Sequence, residues 1–347
     1  KLVNMILRRL FNIGIGLVLV LGIFVALAYL LFPFIKTEVY RETLERGFSA
    51  TLGRKVSLDG PLSLTFSLQP RLILEHVSVS NPPWTSQPHL FRADRLEIEL
   101  LGPLLQRRLE VEKIALEGAE LLLEEGPEGL DNWTFGKNSQ TGIASRAVPT
   151  VFLTVAERGE IIIERSRIVY RPYSSEESTD VVIHKGLLIA PDDQVRKLSL
   201  EGAYRDAPFK ADFTVGRILD LFDLTKAWPV DGVLSVSGAA AAIAGRIGGP
   251  EPDQTFDLQV QVKGDRLSVM NDLLRTDLPD SAAFMVAADV VLNTRTISLN
   301  DIRASLGSSD MTGQLSLQNR EGREKLIGQI TANTLQLHDF LFPAKAP

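Results

Sequence analysis

The four histidines, His76, His89, His184 and His338, are the residues that most invite a search for chemistry, and none stands at a metal-ligand spacing such as HxH or HExxH from another. The serines of "LGSSDMTG", Leu306 to Gly313, lack the GxSxG elbow that exposes a nucleophile, and Asp310 beside them reads as turn chemistry. Glu97 and Glu99 lie two residues apart, which is the spacing of one polar strand face rather than of a general acid set against a general base. With no cysteine in the chain, thiolate catalysis, disulfides and cysteine zinc sites are excluded together. The sequence therefore reads as non-enzymatic, with no catalytic residue, no metal site and no cofactor.

One aromatic stands out. Trp133, one of three tryptophans, lies in "GPEGLDNWTF", Gly126 to Phe135, a stretch that reads as a hairpin or strand-end corner. Gly126 and Gly129 are expected to supply positive φ, and Asp131 and Asn132 to form side-chain turns. An aromatic platform for sugar needs convergent polar partners, and none is visible beside it. Trp133 reads instead as a structural plug over an open sheet end. Asn132-Trp133-Thr134 is formally a glycosylation sequon, best explained as chance.

The elements that would position such residues are of two kinds. From Leu10 to Ile35 there is no charged side chain, enough to cross the roughly 30 Å hydrocarbon core of a bilayer. Lys1, Arg8 and Arg9 precede this run, and a mixed-charge set from Lys36 to Arg46 comes after it. The positive-inside rule then keeps the N-terminus cytoplasmic and places the rest outside. The apolar run is too long for a cleaved signal peptide, and no small-x-small site succeeds it. Residues 1–35 are thus expected to form a basic end and a single span. Residues 36–52, "KTEVYRETLERGFSATL", form an amphipathic helix with Val39, Leu44, Phe48 and Leu52 on its apolar stripe, expected to dock on the region C-terminal to it.

Beyond Gly53 the hydrophobic period changes from 3.6 to 2. "RLEIELL", "RLEVEKIAL", "GEIIIERSRIVY", "FDLQVQVKG", "AADVVLN" and "GQLSLQN" all alternate apolar with polar. About eighteen to twenty such runs predict a mainly β fold over residues 53–347, a long antiparallel sheet apolar on one face. Possible subdivisions fall at 136–150 and 245–254. Helical exceptions are expected at Gly216 to Trp228, at the Ala-rich Gly238 to Gly245 and near Ser268 to Arg275. The units "DGPLSL", "DGVLSV" and "TGQLSL", with the looser "EGAELLL", suggest a repeat in which a turn glycine launches a strand. A net charge of −6 argues against binding nucleic acid, which needs clustered cations.

The anchor followed by "LERGFSATLGRKVSLDGPLSLTF", then "PRLILEHVSVSNPPW", then "ADRLEIELLGPLLQRRLEVEKIALEGAELLLEEGPEGLDNWTF" resembles the AsmA family of Gram-negative envelope proteins. "GSSDMTGQLSL" and "LIGQITANTLQLHDF" resemble that family's later stretch. The resemblance implies an inner-membrane anchor, a periplasmic bulk, and a long curved sheet whose apolar groove takes phospholipid acyl chains in outer-membrane lipid homeostasis. It also places an NW pair at the corner of Asn132 and Trp133.

The strand parity then nominates Leu96, Ile98, Leu100, Leu109, Val111, Leu121, Leu123, Leu258, Val260 and Val262 as lipid-facing candidates. A closed sandwich core would demand the same parity. A non-catalytic scaffold holding an inner-membrane protein partner is the alternative function. Twenty strands about 4.8 Å apart reach at most about 95 Å, so the segment is expected to be the base of a longer chain or to work with partners.

Overall fold

A computed structural model describes residues 38–65, 69–101, 110–133, 155–173, 177–222, 225–249, 254–293, 296–320 and 323–339. Among these residues seventeen strands form one sheet. A helix, α1 (Glu38–Leu52), precedes β1 (Val56–Leu58), β2 (Leu62–Thr65), β3 (Arg71–Ser80), β4 (His89–Leu101), β5 (Glu110–Glu117) and β6 (Glu120–Glu124). Then come β7 (Glu160–Arg171), β8 (Thr179–Ile189), β9 (Arg196–Tyr204), β10 (Ala207–Val215), β11 (Trp228–Val236) and β12 (Ala239–Ile247). The last five are β13 (Gln254–Gly264), β14 (Phe284–Asn293), β15 (Thr296–Leu306), β16 (Ser309–Arg320) and β17 (Arg323–Thr334).

Strands β1 and β2 both pair with β3, and β5 and β6 both pair with β4, so the sheet has fifteen rows. At about 4.8 Å per row it measures about 67 Å along its hydrogen-bonding direction. From β7 to β17 every strand pairs antiparallel with its successor. The sheet is mixed rather than purely antiparallel, because β7 runs parallel to both β5 and β6. A parallel step requires a crossover of a dozen or more residues. The chain between β6 and β7 supplies it and contains residues 136–150, which lie outside the described residues. The span expected at 10–35 and Leu109 also lie outside them. Among the described residues no helix is long and apolar enough to cross a membrane.

The break between β5 and β6 is sharp for a steric reason. Gly118 has φ 62, and a Cβ there would sit 2.1 Å from an Asp94 carboxylate oxygen. Opposite it on β7, Arg165 adopts φ 46, so the two neighbouring rows are bent at the same level.

Two expectations from local propensity fail. The Ala-rich run is not helical: Ala239–Ile247 is β12, bonded on both sides by β11 and β13. Helix propensity is a weak prior, and two flanking ladders outweigh it. In the glycine unit, Gly60 precedes β2, but Gly232 and Gly313 lie inside β11 and β16, where a Cβ would approach a carbonyl of the paired strand at 2.3 Å. Those glycines permit close strand contact rather than a turn. Around Gly216 to Trp228 the helical part is the short 3-10 turn Ile218–Phe222, and Trp228 already opens β11. The turn Leu267–Met270 and α2 (Asn271–Leu274) fall where a helix is expected.

Candidate functional site

Directly paired residues in a sheet present their side chains to the same face, so the register decides which candidates belong together. Leu96 pairs with Leu74 and Leu116, Ile98 with Leu72 and Ile114, and Leu100 with Val111. Leu121 pairs with Phe91 and Ile168, and Leu123 with Tyr170. On the far side of the sheet Leu258 pairs with Val290, Val260 with Ala288 and Val262 with Val286. The intervening strands carry the same parity: Leu198 meets Phe213, Leu200 meets Ala211, and Leu234 meets Ala241. The nine described candidates therefore share one apolar face that runs without interruption from β3 to β17, ending on Leu326, Gly328 and Ile330.

The opposite face mixes ion pairs with apolar residues such as Ile162, Leu187 and Val233. Glu97 ion-pairs with Arg95 and Arg71, and Glu120 with Arg92. Arg167 pairs with Asp180 and Lys113 with Glu160. Glu97 and Glu99 are thus structural partners of Arg71.

Cover on the apolar face is uneven. Over β1 to β7 the helix α1 lays Leu44, Phe48 and Leu52 on a core of Val56, Leu58, Leu62, Leu74, Val77, Val79, Leu96, Ile114 and Val155. Gly53, with φ 64, ends this helix in the left-handed conformation that favours glycine. Over the C-terminal strands the described cover is a small cap: Leu267, Val269 and Met270 pack on Ala239, Phe284 and Leu306 at one end of the strands. Beyond that cap Val286 is 41%, Ile297 43%, Ile330 56% and Leu326 69% exposed.

Two polar clusters hold this frame. Glu157, in the helical turn 155–158, accepts 2.6 Å bonds from Arg196 Nη2 and from the Leu219 N–H and a 3.2 Å bond from Arg217 Nε. Arg196 is 1% exposed and also donates to the carbonyls of Ala156, Asp192 and Val195. Burial pushes the Glu157 carboxyl upward, but the Leu219 N–H and the two guanidinium groups outweigh it and hold the acid below the ordinary carboxylate range. The second cluster lies where the C-terminal 3-10 turn Leu337–Asp339 ties back: Asp339 accepts from the Ser308 N–H at 3.0 Å and the Ser309 hydroxyl at 2.8 Å.

The tryptophan corner differs from expectation. Gly126 has φ −112, and the left-handed positions are Glu128 (φ 60) and Gly129 (φ 75). A 3-10 turn at Pro127–Gly129 and a bridge between Glu125 and Asp131 make the corner. The fully buried residue is Asn132, not the tryptophan. Its side chain accepts from the Glu124 N–H at 2.8 Å and donates to the Leu122 carbonyl and to Asn81 Oδ1. Trp133 leans on Tyr170 with ring centroids 6.3 Å apart. Among the described residues no group of three or more metal-ligating side chains comes together.

A model described as AsmA family covers residues 8–183. This chain belongs to the AsmA family. It is 23% identical over 333 residues to the AsmA family protein YhjG of Escherichia coli (strain K12), an alignment that covers 86% of this chain and 48% of that protein. The chain thus spans about half the length of this relative. No solved structure matches significantly.

Proposed function

We propose that this protein is an anchored, non-catalytic envelope protein whose apolar sheet face holds phospholipid acyl chains and so serves outer-membrane lipid homeostasis. The observation that carries this reading is the register-continuous apolar face, which over its C-terminal half has only a small cap among the described residues. Exposed apolar surface costs about 25 cal/mol per Å², and monomeric soluble proteins rarely expose such patches beyond a few hundred Å². An extended acyl chain matches such a strip, because it supplies apolar area and requires no hydrogen-bond partner. Lipid heads stay at the solvated margins.

In the same reading residues 1–35 are the single inner-membrane span, with a cytoplasmic N-terminus and the sheet in the periplasm. Residues 36–52 lead from the bilayer into the covered part of the sheet. Membrane lipids are the principal partners. Purification in mild detergent followed by lipid mass spectrometry tests the proposal. Co-purifying phospholipid that is lost when Val260, Val290 and Leu299 are replaced by aspartate is the expected result. A stoichiometric membrane protein in place of lipid would support a scaffold instead.

A further inference from the structure

Opposite charges meet at one end of the strands, beside the apolar face. Tyr204 shares the parity of Leu198 and Leu200, so it is the last apolar-face residue of β9. The β9–β10 turn lies at the same strand end as the small cap, because β9 and β13 run in the same direction. The cap continues through α2, and Arg275 at the C-terminal end of α2 ion-pairs with Glu177, 98 positions away, just before β8. Between this strap and the β9–β10 turn lies a cleft of about 640 Å³, inside the roughly 300–1,000 Å³ range of small-ligand sites.

Charged residues wall this cleft from both sides: Arg205 and Asp206 on the turn, Arg275 and Asp277 on the strap. Arg205 and Asp206 take φ 49 and φ 67 as the two loop residues of their hairpin, where Asn-Gly is the favoured pair. The Arg205 guanidinium lies over the Tyr204 ring, 5.2 Å from its centroid, and donates to Thr179 Oγ1 at 3.1 Å. Because Tyr204 belongs to the apolar face, this cation stands at the margin of that face. Its Nε is buried with no hydrogen-bond partner among the described residues, and a buried donor left open calls for an explanation. Asp206 and Asp277 are exposed, and among the described residues neither carboxylate accepts a hydrogen bond or forms an ion pair.

The charge balance narrows the ligand. With Glu177 counted, three carboxylates face two guanidinium groups. A ligand that is only an anion meets a cleft of net negative charge, and one that is only a cation meets Arg205. A head that carries both a phosphate and a primary ammonium satisfies both walls. Its phosphate takes charge-assisted bonds from Arg205, and its ammonium, with three N–H donors, reaches the free carboxylates of Asp206 and Asp277. A choline head has no N–H to donate, and a glycerol head has no positive charge.

We propose that this cleft is the head site of the lipid strip, selective for a phospholipid whose head bears both a phosphate and a primary amine. The inference rests on the lipid reading above and adds the class of head and the margin at which it sits. In the test, the full chain is equilibrated with mixed micelles holding equal amounts of phosphatidylethanolamine, phosphatidylcholine and phosphatidylglycerol with the same acyl chains. The protein is then re-isolated and its lipid measured by mass spectrometry. The ethanolamine lipid is expected to be enriched about tenfold over each of the others, the discrimination that one hydrogen bond to a charged group supplies. Asp206→Asn with Asp277→Asn, two exposed changes that leave the fold intact, should abolish that enrichment and favour the glycerol lipid. Arg205→Gln, with its melting temperature read alongside, should lower retention of all three. Glycerophosphoethanolamine, the same head without chains, should not displace the lipid at equal concentration. Equal retention of the three classes by the parent, unchanged enrichment in the double variant, parent-like retention by Arg205→Gln, or displacement by the chainless head would each overturn the proposal. Lipid bound without class preference sinks the head site and leaves the strip; no lipid of any class in the parent sinks both.

Discussion

The N-terminal rows β1 to β7 and the C-terminal rows β11 to β17 are built from the same alternating strands, yet they end in different physical states. In the first, Ile114 is 0% and Leu74 1% exposed beneath α1 and the turn carrying Val155. In the second, Ile297 and Leu326 occupy equivalent positions on the same face and remain 43% and 69% exposed. The strand pattern does not distinguish a core from an open strip; the presence of a described covering element does. Among the described residues, a single molecule thus combines a folded base, stabilised by burial, with an apolar strip that carries only a small cap.

That contrast can be tested by substitution. The largest effect is expected where the base is tied together: Glu157→Ala leaves the buried Arg196 guanidinium without its counter-ion, which costs about 3–5 kcal/mol in comparable buried pairs. Chemical denaturation should show that loss, and an unchanged midpoint would remove the cluster from the account. Next, Ile114→Ala is expected to cost about 2–5 kcal/mol through the cavity it leaves. Ile297→Ala, the same change on the open strip, should stay within about 0.5 kcal/mol, as exposed substitutions do. Equal losses at the two sites would erase the distinction between core and strip. Asn132→Ala should cost about 1–3 kcal/mol because it strands the Glu124 N–H and the Leu122 carbonyl. Trp133→Ala should lower the melting temperature without creating or abolishing any chemistry.

The smallest and most specific effect is on pH. Glu157 is held below the ordinary carboxylate range in the folded state, so its contribution is fully present above the unfolded value of about 4.3 and is lost as pH falls through the folded pKa. Melting temperature against pH should therefore drop on the acid side, and Glu157→Gln should flatten that drop. A variant with the parent's acid slope would assign the effect to other carboxylates.

How far this was legible in the sequence depends on distance along the chain. Strand parity is a local property: it pairs Leu96 with Ile98 and Val260 with Val262 within their own strands, whereas the sharing of one face by the two pairs comes from the register between strands. The helix at Glu38–Leu52 was legible for the same reason, at period 3.6. What local pattern does not encode is what meets what. Glu157 and Arg196 lie 39 positions apart and become partners only through the β7–β8 and β8–β9 turns. Asn132 looked like a turn residue because its fifty-one-residue separation from Asn81 carries no local signal. The Ala-rich Gly238 to Gly245 reads as a helix alone, and the strand Ala239–Ile247 takes its place between two ladders. Nor does periodicity show that Arg41, Glu45 and Ser49 bond the β1 backbone, since charges beside an apolar stripe are also what a solvated helix displays.

The central claim, that the C-terminal half of the apolar face is a lipid strip and the N-terminal half a core, is tested most directly by site-specific photocrosslinking in cells. A photoreactive side chain at Leu299 or Val290 should yield a phospholipid adduct by mass spectrometry, while one at Ile114 or Leu74 should yield none in a folded protein. Lipid adducts absent from the open strip, or equally abundant at both sets of positions, would contradict the account.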